Sequence, residues 1–375
     1  MDIKQWRKLT VQCISLLALL LVACVVLSDD YLDKSSTVRA DEFEDEYPDV
    51  PDMTPEPEEP VQKENIEILE WQGDYIKVDK QSLGAGEAYL TNVYMEKALL
   101  LQIDHAQTKD VDLQGISRRY KDQIRQGQIR KKDSGDLLQK IQVSGKKEKD
   151  AVTFSVQIKL TLRNVTEPTL YETEDAYFVK IAKPRDVYDK IIVLDAGHGG
   201  DDEGTFTRDG KHEEKTYTLA VVEELKRLFD QTNIKVYYTR TEDKEVSKKA
   251  RVSLANDVQA DLFISVHCNA SNPGDTSAHG VEALYSKRKT NSSISNKHLA
   301  EVLLQNVVDE TGRRKRGVIR REDLYLMHHS KVPTSIVEIA YITNKSDMKF
   351  LSQKKGRQKY ANGIYNAALS LLGQA

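Results

Sequence analysis

Between residues 152 and 162 apolar and polar side chains alternate without a break. Val152, Phe154, Val156, Ile158, Leu160 and Leu162 fall on one side, and Thr153, Ser155, Gln157, Lys159 and Thr161 on the other. A period of two is that of a strand with one buried face. Ala88 to Glu96, Ala98 to Ile103 and Ala176 to Ile181 are further strand candidates, so residues 65–186 are expected to form a β-rich, sandwich-like domain. Within it, Gly115 to Lys147 is polar and strongly basic, with Arg118, Arg119, Lys121, Arg125, Arg130, Lys131 and Lys132. The polar composition there suggests a solvated helix and loop, and the sharper alternative is a patch for an anionic polymer.

The pattern changes at Lys190. Ile191 to Leu194 is a short continuous apolar run, closed by the turn Asp195-Ala196-Gly197-His198-Gly199-Gly200. Ile234 to Tyr238, Leu262 to Val266, Val281 to Tyr285 and Ser335 to Ile339 are similar runs with helical stretches between them. From Glu213 to Phe229, Val221, Leu225 and Leu228 share a helix face; from Lys359 to Leu372, Ile364, Ala367, Ala368 and Leu371 do so. Strands alternating with helices predict an α/β domain over 187–375, built on a twisted, mainly parallel sheet with helices on both faces.

A third pattern precedes both. Lys4, Arg7 and Lys8 lead into an almost uninterrupted apolar stretch from Val11 to Leu27, which Asp29 and Asp30 close. Seventeen residues is the short end of what spans a bilayer. A basic flank (1–10) inside and an acidic flank outside predict a single-pass anchor at 11–27, with the body beyond the cytoplasm in the cell membrane. Lipid attachment at Cys24, after Leu21-Val22-Ala23, and simple secretion are the rival expectations.

Charge sharpens the division. The whole chain carries 55 basic and 59 acidic residues, net −4, which excludes a polycation built for nucleic acid. Ser28 to Glu64 has 14 acidic and 3 basic residues and five of the nine prolines, the composition of an extended disordered linker. Lys190 to Ala375 has 29 basic and 24 acidic residues. Three cysteines, two of them in the apolar run, exclude a disulfide scaffold.

The candidate chemistry gathers at strand ends, where ligands of a parallel sheet collect. His198 follows the run Ile191 to Leu194, and His267 ends the run Leu262 to Val266. Two imidazoles on one rim need a third donor to make an open zinc site, commonly a carboxylate. Helix phase favours Glu214, seven residues before Val221 and eleven before Leu225, over Glu213, which aligns with Tyr217 and Glu224 on a more exposed face. A water activated at such a site needs a base, and Glu338, inside the apolar run Ile336 to Ile339, is the candidate, its pKa raised by burial. The Gly-rich turn lacks the endings of a phosphate loop, and neither HExxH nor GxSxG is present.

The segment IIVLDAGHGGDDEGT from Ile191 to Thr205, Glu214-Lys215 with its helix, and ADLFISVHCNAS from Ala260 to Ser271 resemble the zinc-dependent N-acetylmuramoyl-L-alanine amidases of bacterial cell walls. The resemblance continues through Tyr238-Thr239-Arg240, Arg251, Gly280-Val281-Glu282, Arg316-Gly317-Val318 and PTSIVEIAYITN from Pro333 to Asn344. It implies one Zn2+ on His198, Glu214 and His267, Glu338 as the catalytic carboxylate, peptidoglycan as substrate, and cleavage of the amide between N-acetylmuramic acid and L-alanine. A catalytically silent wall-binding protein of the same fold, or a zinc peptidase or deacetylase of another wall amide, are the alternatives. Cys268 stands where such amidases often have alanine, and Ala340-Tyr341 replaces their more usual glycine-phenylalanine. The middle region faintly resembles the β-sandwich modules that target such amidases to the wall or septum.

Overall fold

The computed structural model describes residues 74–80, 86–106, 138–147, 154–272, 275 and 277–374. The expected anchor at 11–27, its flank, the acidic linker 28–64 and the basic residues 118–132 lie outside these. Among the described residues no helix is long and apolar enough to cross a membrane.

Seven strands come first: β1 (Asp74–Asp79), β2 (Glu87–Val93), β3 (Ala98–Ala106), β4 (Leu138–Lys147), β5 (Phe154–Leu162), β6 (Glu167–Glu172) and β7 (Ala176–Ala182). They make two antiparallel sheets, β2-β3-β5-β4 and β1-β7-β6. The alternation in β5 sends Val156, Ile158, Leu160 and Leu162 inward. There they join Leu90, Leu99, Leu101 and Ile103 of their own sheet, and Val78, Tyr177, Val179 and Ile181 of the other, in one core. Two sheets sharing inward faces make a sandwich. The sequence expectation fails at β4, read above as helix and loop. It is an edge strand in which Ile141 is buried, Val143 is half-buried, and Gln139, Lys140, Gln142, Ser144 and Gly145 are exposed. So thin an apolar face leaves almost no period-two signal.

After the short helix α1 (Pro184–Val187) the chain lays down β8 (Ile191–Ala196), α2 (Glu214–Phe229), β9 (Lys235–Tyr238), α3 (Lys248–Asp257), β10 (Leu262–Asn269) and β11 (Val281–Tyr285). Then follow α4 (Asn296–Thr311), β12 (Lys315–Arg320), α5 (Tyr325–His329), β13 (Thr334–Tyr341), α6 (Lys345–Ser352) and α7 (Lys354–Leu372). The six strands form one sheet in the order β12-β11-β13-β10-β8-β9. Every pairing is parallel except β11 with β13, so the mainly parallel sheet is there, made mixed by one antiparallel contact. β12 escaped the sequence reading because, as an edge strand, it exposes Lys315, Arg316, Ile319 and Arg320.

Both faces of this sheet are covered, which is why its strands are continuous apolar runs. Ile192, Leu194, Ile264, Val266, Ala283, Val337 and Ile339 face α2, α4, α6 and α7. The alternate residues Ile191, Val193, Phe263, Leu284 and Ile336 face the shorter α3 and α5. Continuing that second series toward the strand ends leads to Asp195, His267, Glu282 and Glu338. The outer edge of β9 is closed by the sandwich. Tyr94 Oη donates to the carbonyl of Tyr238 at 2.9 Å and accepts from its N–H at 3.1 Å. Glu167 accepts from Tyr188 Oη and Lys235 Nζ, each at 3.2 Å, and from Tyr237 Oη.

Candidate active site

His198 is delivered by the turn after β8, with its backbone in the left-handed region at φ +62. For a side chain with a Cβ that conformation costs of order 1 kcal/mol and needs support. Two buried arginines supply it by holding the carbonyls of the turn. Arg251 donates to Ala196 O and His198 O, both at 2.7 Å. Arg240 donates to Ala196 O at 3.0 Å and Gly197 O at 2.8 Å. Asp195 is fully buried and answers this charge, accepting from Arg251, from Thr239 Oγ1 at 2.6 Å and from Ser265 Oγ at 2.5 Å. Burial pushes the Asp195 carboxyl up, but Arg251 above all, then His267 and the two hydroxyls, hold it below its ordinary value.

Glu214, at the first position of α2, is 1% exposed, as its helix phase required. Its Oε1 lies 2.9 Å from His267 Nδ1, and its Oε2 lies 3.2 Å from His198 Nε2. Backbone amides fix the carboxylate: Cys268 N–H donates to Oε1 at 2.8 Å, and Thr205 donates to Oε2 from its N–H at 2.9 Å and its hydroxyl at 3.1 Å. On the other side of His198, Nδ1 lies 2.8 Å from Asp202 Oδ1, the carboxylate partner that sets an imidazole's orientation. One donor atom from each of His198, Glu214 and His267 fits within 4.8 Å of the others. Glu213, the rejected neighbour, is half-buried and 3.5 Å from Lys215 Nζ. One part of the phase argument fails: Tyr217, taken to mark an exposed face, is fully buried with its hydroxyl on His212 Nδ1 at 2.7 Å.

Two glycines make room for this cluster. A Cβ on Gly197 would sit 2.5 Å from His267 Cε1, and one on Gly204, which has φ +74, would sit 2.7 Å from Glu214 Oε2. Gly197→Ala is therefore expected to push the His267 ring aside and weaken any metal binding by the cluster about 10- to 100-fold, the range for disturbed support around a ligand. Competition with a chromophoric chelator measures this, and an unchanged affinity would mean that the ring has space to yield.

Glu338 is the register partner of His267 across β10 and β13. Burial pushes its carboxyl up to about 7; His267 opposes the shift, while Glu214 and Glu282 add to it. Among the described residues its Oε2 is buried with no hydrogen-bond partner. Glu214, Glu338 and Asp195 together outweigh burial at His267 and raise that imidazole to about 9. The pocket is thus built for positive charge. Two imidazoles and one carboxylate are the donors of an open zinc site, so these residues fit the ion the sequence called for.

The supporting residues were not singled out from sequence. Asp195, a lone charge in an apolar run, was the signal that a buried cation had to lie nearby. Asp202 stood four residues after His198 as a further hint. Cys268 is buried and its thiol is pushed up by burial, so its contribution to the site is its backbone amide.

A mainly parallel sheet with a donor cluster at its rim that could hold a cation, and a buried carboxylate beside it, has the parts that metal-dependent hydrolases of the α/β class use. The sequence family described as N-acetylmuramoyl-L-alanine amidase matches residues 192–370. YqiI, an uncharacterized protein of Bacillus subtilis, is 32% identical over 185 residues, which are 49% of this chain and 86% of YqiI. The germination-specific N-acetylmuramoyl-L-alanine amidase of B. subtilis is 30% identical over 48% of this chain and 78% of that protein. LytC, an N-acetylmuramoyl-L-alanine amidase of the same organism, is 32% identical over 49% of this chain, although the match spans only 36% of LytC. The chain belongs to the N-acetylmuramoyl-L-alanine amidase family.

Proposed function

We propose that this amidase hydrolyses the bond between N-acetylmuramic acid and L-alanine in peptidoglycan, in cell-wall remodelling, with one zinc ion held by His198, Glu214 and His267. The observation that carries the reading is the convergence of those three donors beside the unpartnered Oε2 of Glu338. Zinc, when bound, supplies polarisation of the amide carbonyl and acidification of the attacking water. Asp202 holds the His198 ring, and Thr205 and Cys268 hold Glu214, so that neither ligand needs to reorganise during turnover. Glu338 Oε2 accepts the proton of the attacking water and returns it to the departing L-alanine nitrogen. Burial raises this carboxyl above the ordinary carboxylate range, which suits it to holding and returning a proton.

The complete donor set speaks against a silent wall-binding protein. The apolar run 11–27 is read as the membrane anchor, presenting the enzyme outside the cytoplasm, with attachment at Cys24 or secretion as the rivals. The β-sandwich is read as the part that docks on the wall.

Digestion of defined muropeptides, followed by mass analysis, tests the reaction. Release of intact stem peptides with a free L-alanine amine is expected, together with loss of activity on chelation and recovery with zinc. Loss of acetate, or scission inside the stem, would instead assign a deacetylase or a peptidase.

A further inference from the structure

A row of side chains crosses four strands at the site. His267 of β10 pairs with Glu338 of β13, and Glu338 pairs with Glu282 of β11. Next in the row comes Arg316 of β12, in the register shift between the pairs Val281–Lys315 and Glu282–Gly317. The first two members belong to the chemistry above, and the other two are unused by it. Glu282 is only 4% exposed, and both its oxygens are occupied. Oε1 accepts from Tyr341 Oη at 2.7 Å and from Arg316 Nε; Oε2 accepts from Asn269 Nδ2 at 3.0 Å. The Arg316 guanidinium lies over the Tyr341 ring, 4.8 Å from its centroid, and the side chain is 29% exposed. Tyr341 is one of the three positions where this sequence departs from the usual pattern, and its hydroxyl completes the cluster.

We propose that Arg316, oriented by Glu282 and Tyr341, is a specificity residue that binds a carboxylate on the peptide side of the scissile amide; this deepens the amidase reading and rests on it. Three observations support it. The bond to Glu282 uses Nε, so covalent geometry turns the edge formed by Nη1 and Nη2 away from Glu282, and that planar fork matches a carboxylate. Position agrees: strands stand about 4.8 Å apart, so β12 lies about 10 Å from β13. An extended peptide advances about 3.5 Å per residue, which brings the second or third residue past the amide abreast of Arg316. Charge agrees as well. Six of the nine residues from Arg313 to Arg321 are cationic; Asp347, Glu282, Glu322 and Asp323 pair with Arg313, Arg316, Arg320 and Arg321, and the surplus left by Arg314 and Lys315 still favours an anionic stem.

Steady-state kinetics of the full chain on two synthetic substrates test the assignment: N-acetylmuramoyl-L-alanyl-D-glutamic acid, and the same compound with both glutamyl carboxyls amidated. The wild type is expected to show a KM about tenfold lower for the acid. Arg316→Met should raise KM for the acid to near that of the diamide, with a much smaller change for the diamide and in kcat. Arg316→Lys, which keeps a cation beside Glu282, should recover part of the preference, and Tyr341→Phe should lose part of it. Equal KM values in the wild type would overturn the assignment. So would an Arg316→Met variant that loses both substrates by the same factor, since a pair that merely braces the sheet edge would behave that way. Failure of the wild type to cleave either compound would instead reject the amidase reading, and this inference with it.

Discussion

Glu338→Gln is expected to lower kcat about 100- to 10,000-fold while zinc stoichiometry and fold are retained. The range is that of a lost general acid–base group. Glutamine keeps the size of the side chain but can neither accept the water's proton nor return one. The ligand cluster is independent of it: Glu214 is held by Thr205 and Cys268, and His198 by Asp202. The variant should also be no less stable than the wild type. Burial disfavours the charge of Glu338, and with Glu214 and Glu282 it outweighs the attraction of His267, so neutralising the side chain relieves a net cost while Oε2 has no hydrogen bond to lose. Glu338→Ala should show the same loss of turnover. Single-turnover assays with zinc quantified in the same preparation give the comparison. Turnover near the wild-type value in either variant would remove Glu338 from the mechanism.

The second large effect falls on stability. Arg251→Met should cost about 3–5 kcal/mol, the usual result of removing one partner from a buried ion pair. Asp195 would stay fully buried with only two hydroxyls for support, the carbonyl of His198 would lose its Arg251 donor, and that of Ala196 would keep only Arg240. Arg251→Lys should recover little, because one ammonium cannot serve Asp195, Ala196, His198 and Val246 together. The pH dependence carries a sign. The folded pKa of Asp195 lies below its unfolded value of about 4, so its contribution is complete above that value and is lost as pH falls through the folded one. The wild type should therefore weaken in acid, and Arg251→Met, having already lost the charge partner, should weaken less over the same window. Denaturant titrations between neutral pH and about pH 3 decide the matter; a cost below about 1 kcal/mol at neutral pH would sink the argument.

The three candidate metal ligands that the fold brings together were legible because each left a local trace. His198 and His267 stand at the ends of apolar runs, and Glu214 shares the phase of Val221 and Leu225. Glu338 was conspicuous as a charge within Ile336 to Ile339. The same logic failed where a face was too thin to show. Among the described side chains of β4 only Ile141 is fully covered, and half of β12 is charged, so edge strands vanished into the polar background. Tyr217 failed for another reason: helix phase gives direction around an axis but not how far the neighbouring loop wraps it, and His212 folds back over that face.

Periodicity and strand-end position, both properties of neighbours along the chain, thus determined the α/β class, the sandwich-like texture of the middle region, and the choice of four candidate site residues. Tertiary structure alone decided what depends on distant segments meeting: the antiparallel contact of β11 with β13, the grip of Arg240 and Arg251 on the His198 turn, and the row from His267 through Glu338 and Glu282 to Arg316. A sequence pattern specifies which face of an element is buried. It carries no term for which strand will lie beside it, and electrostatic partnership is fixed only by that choice.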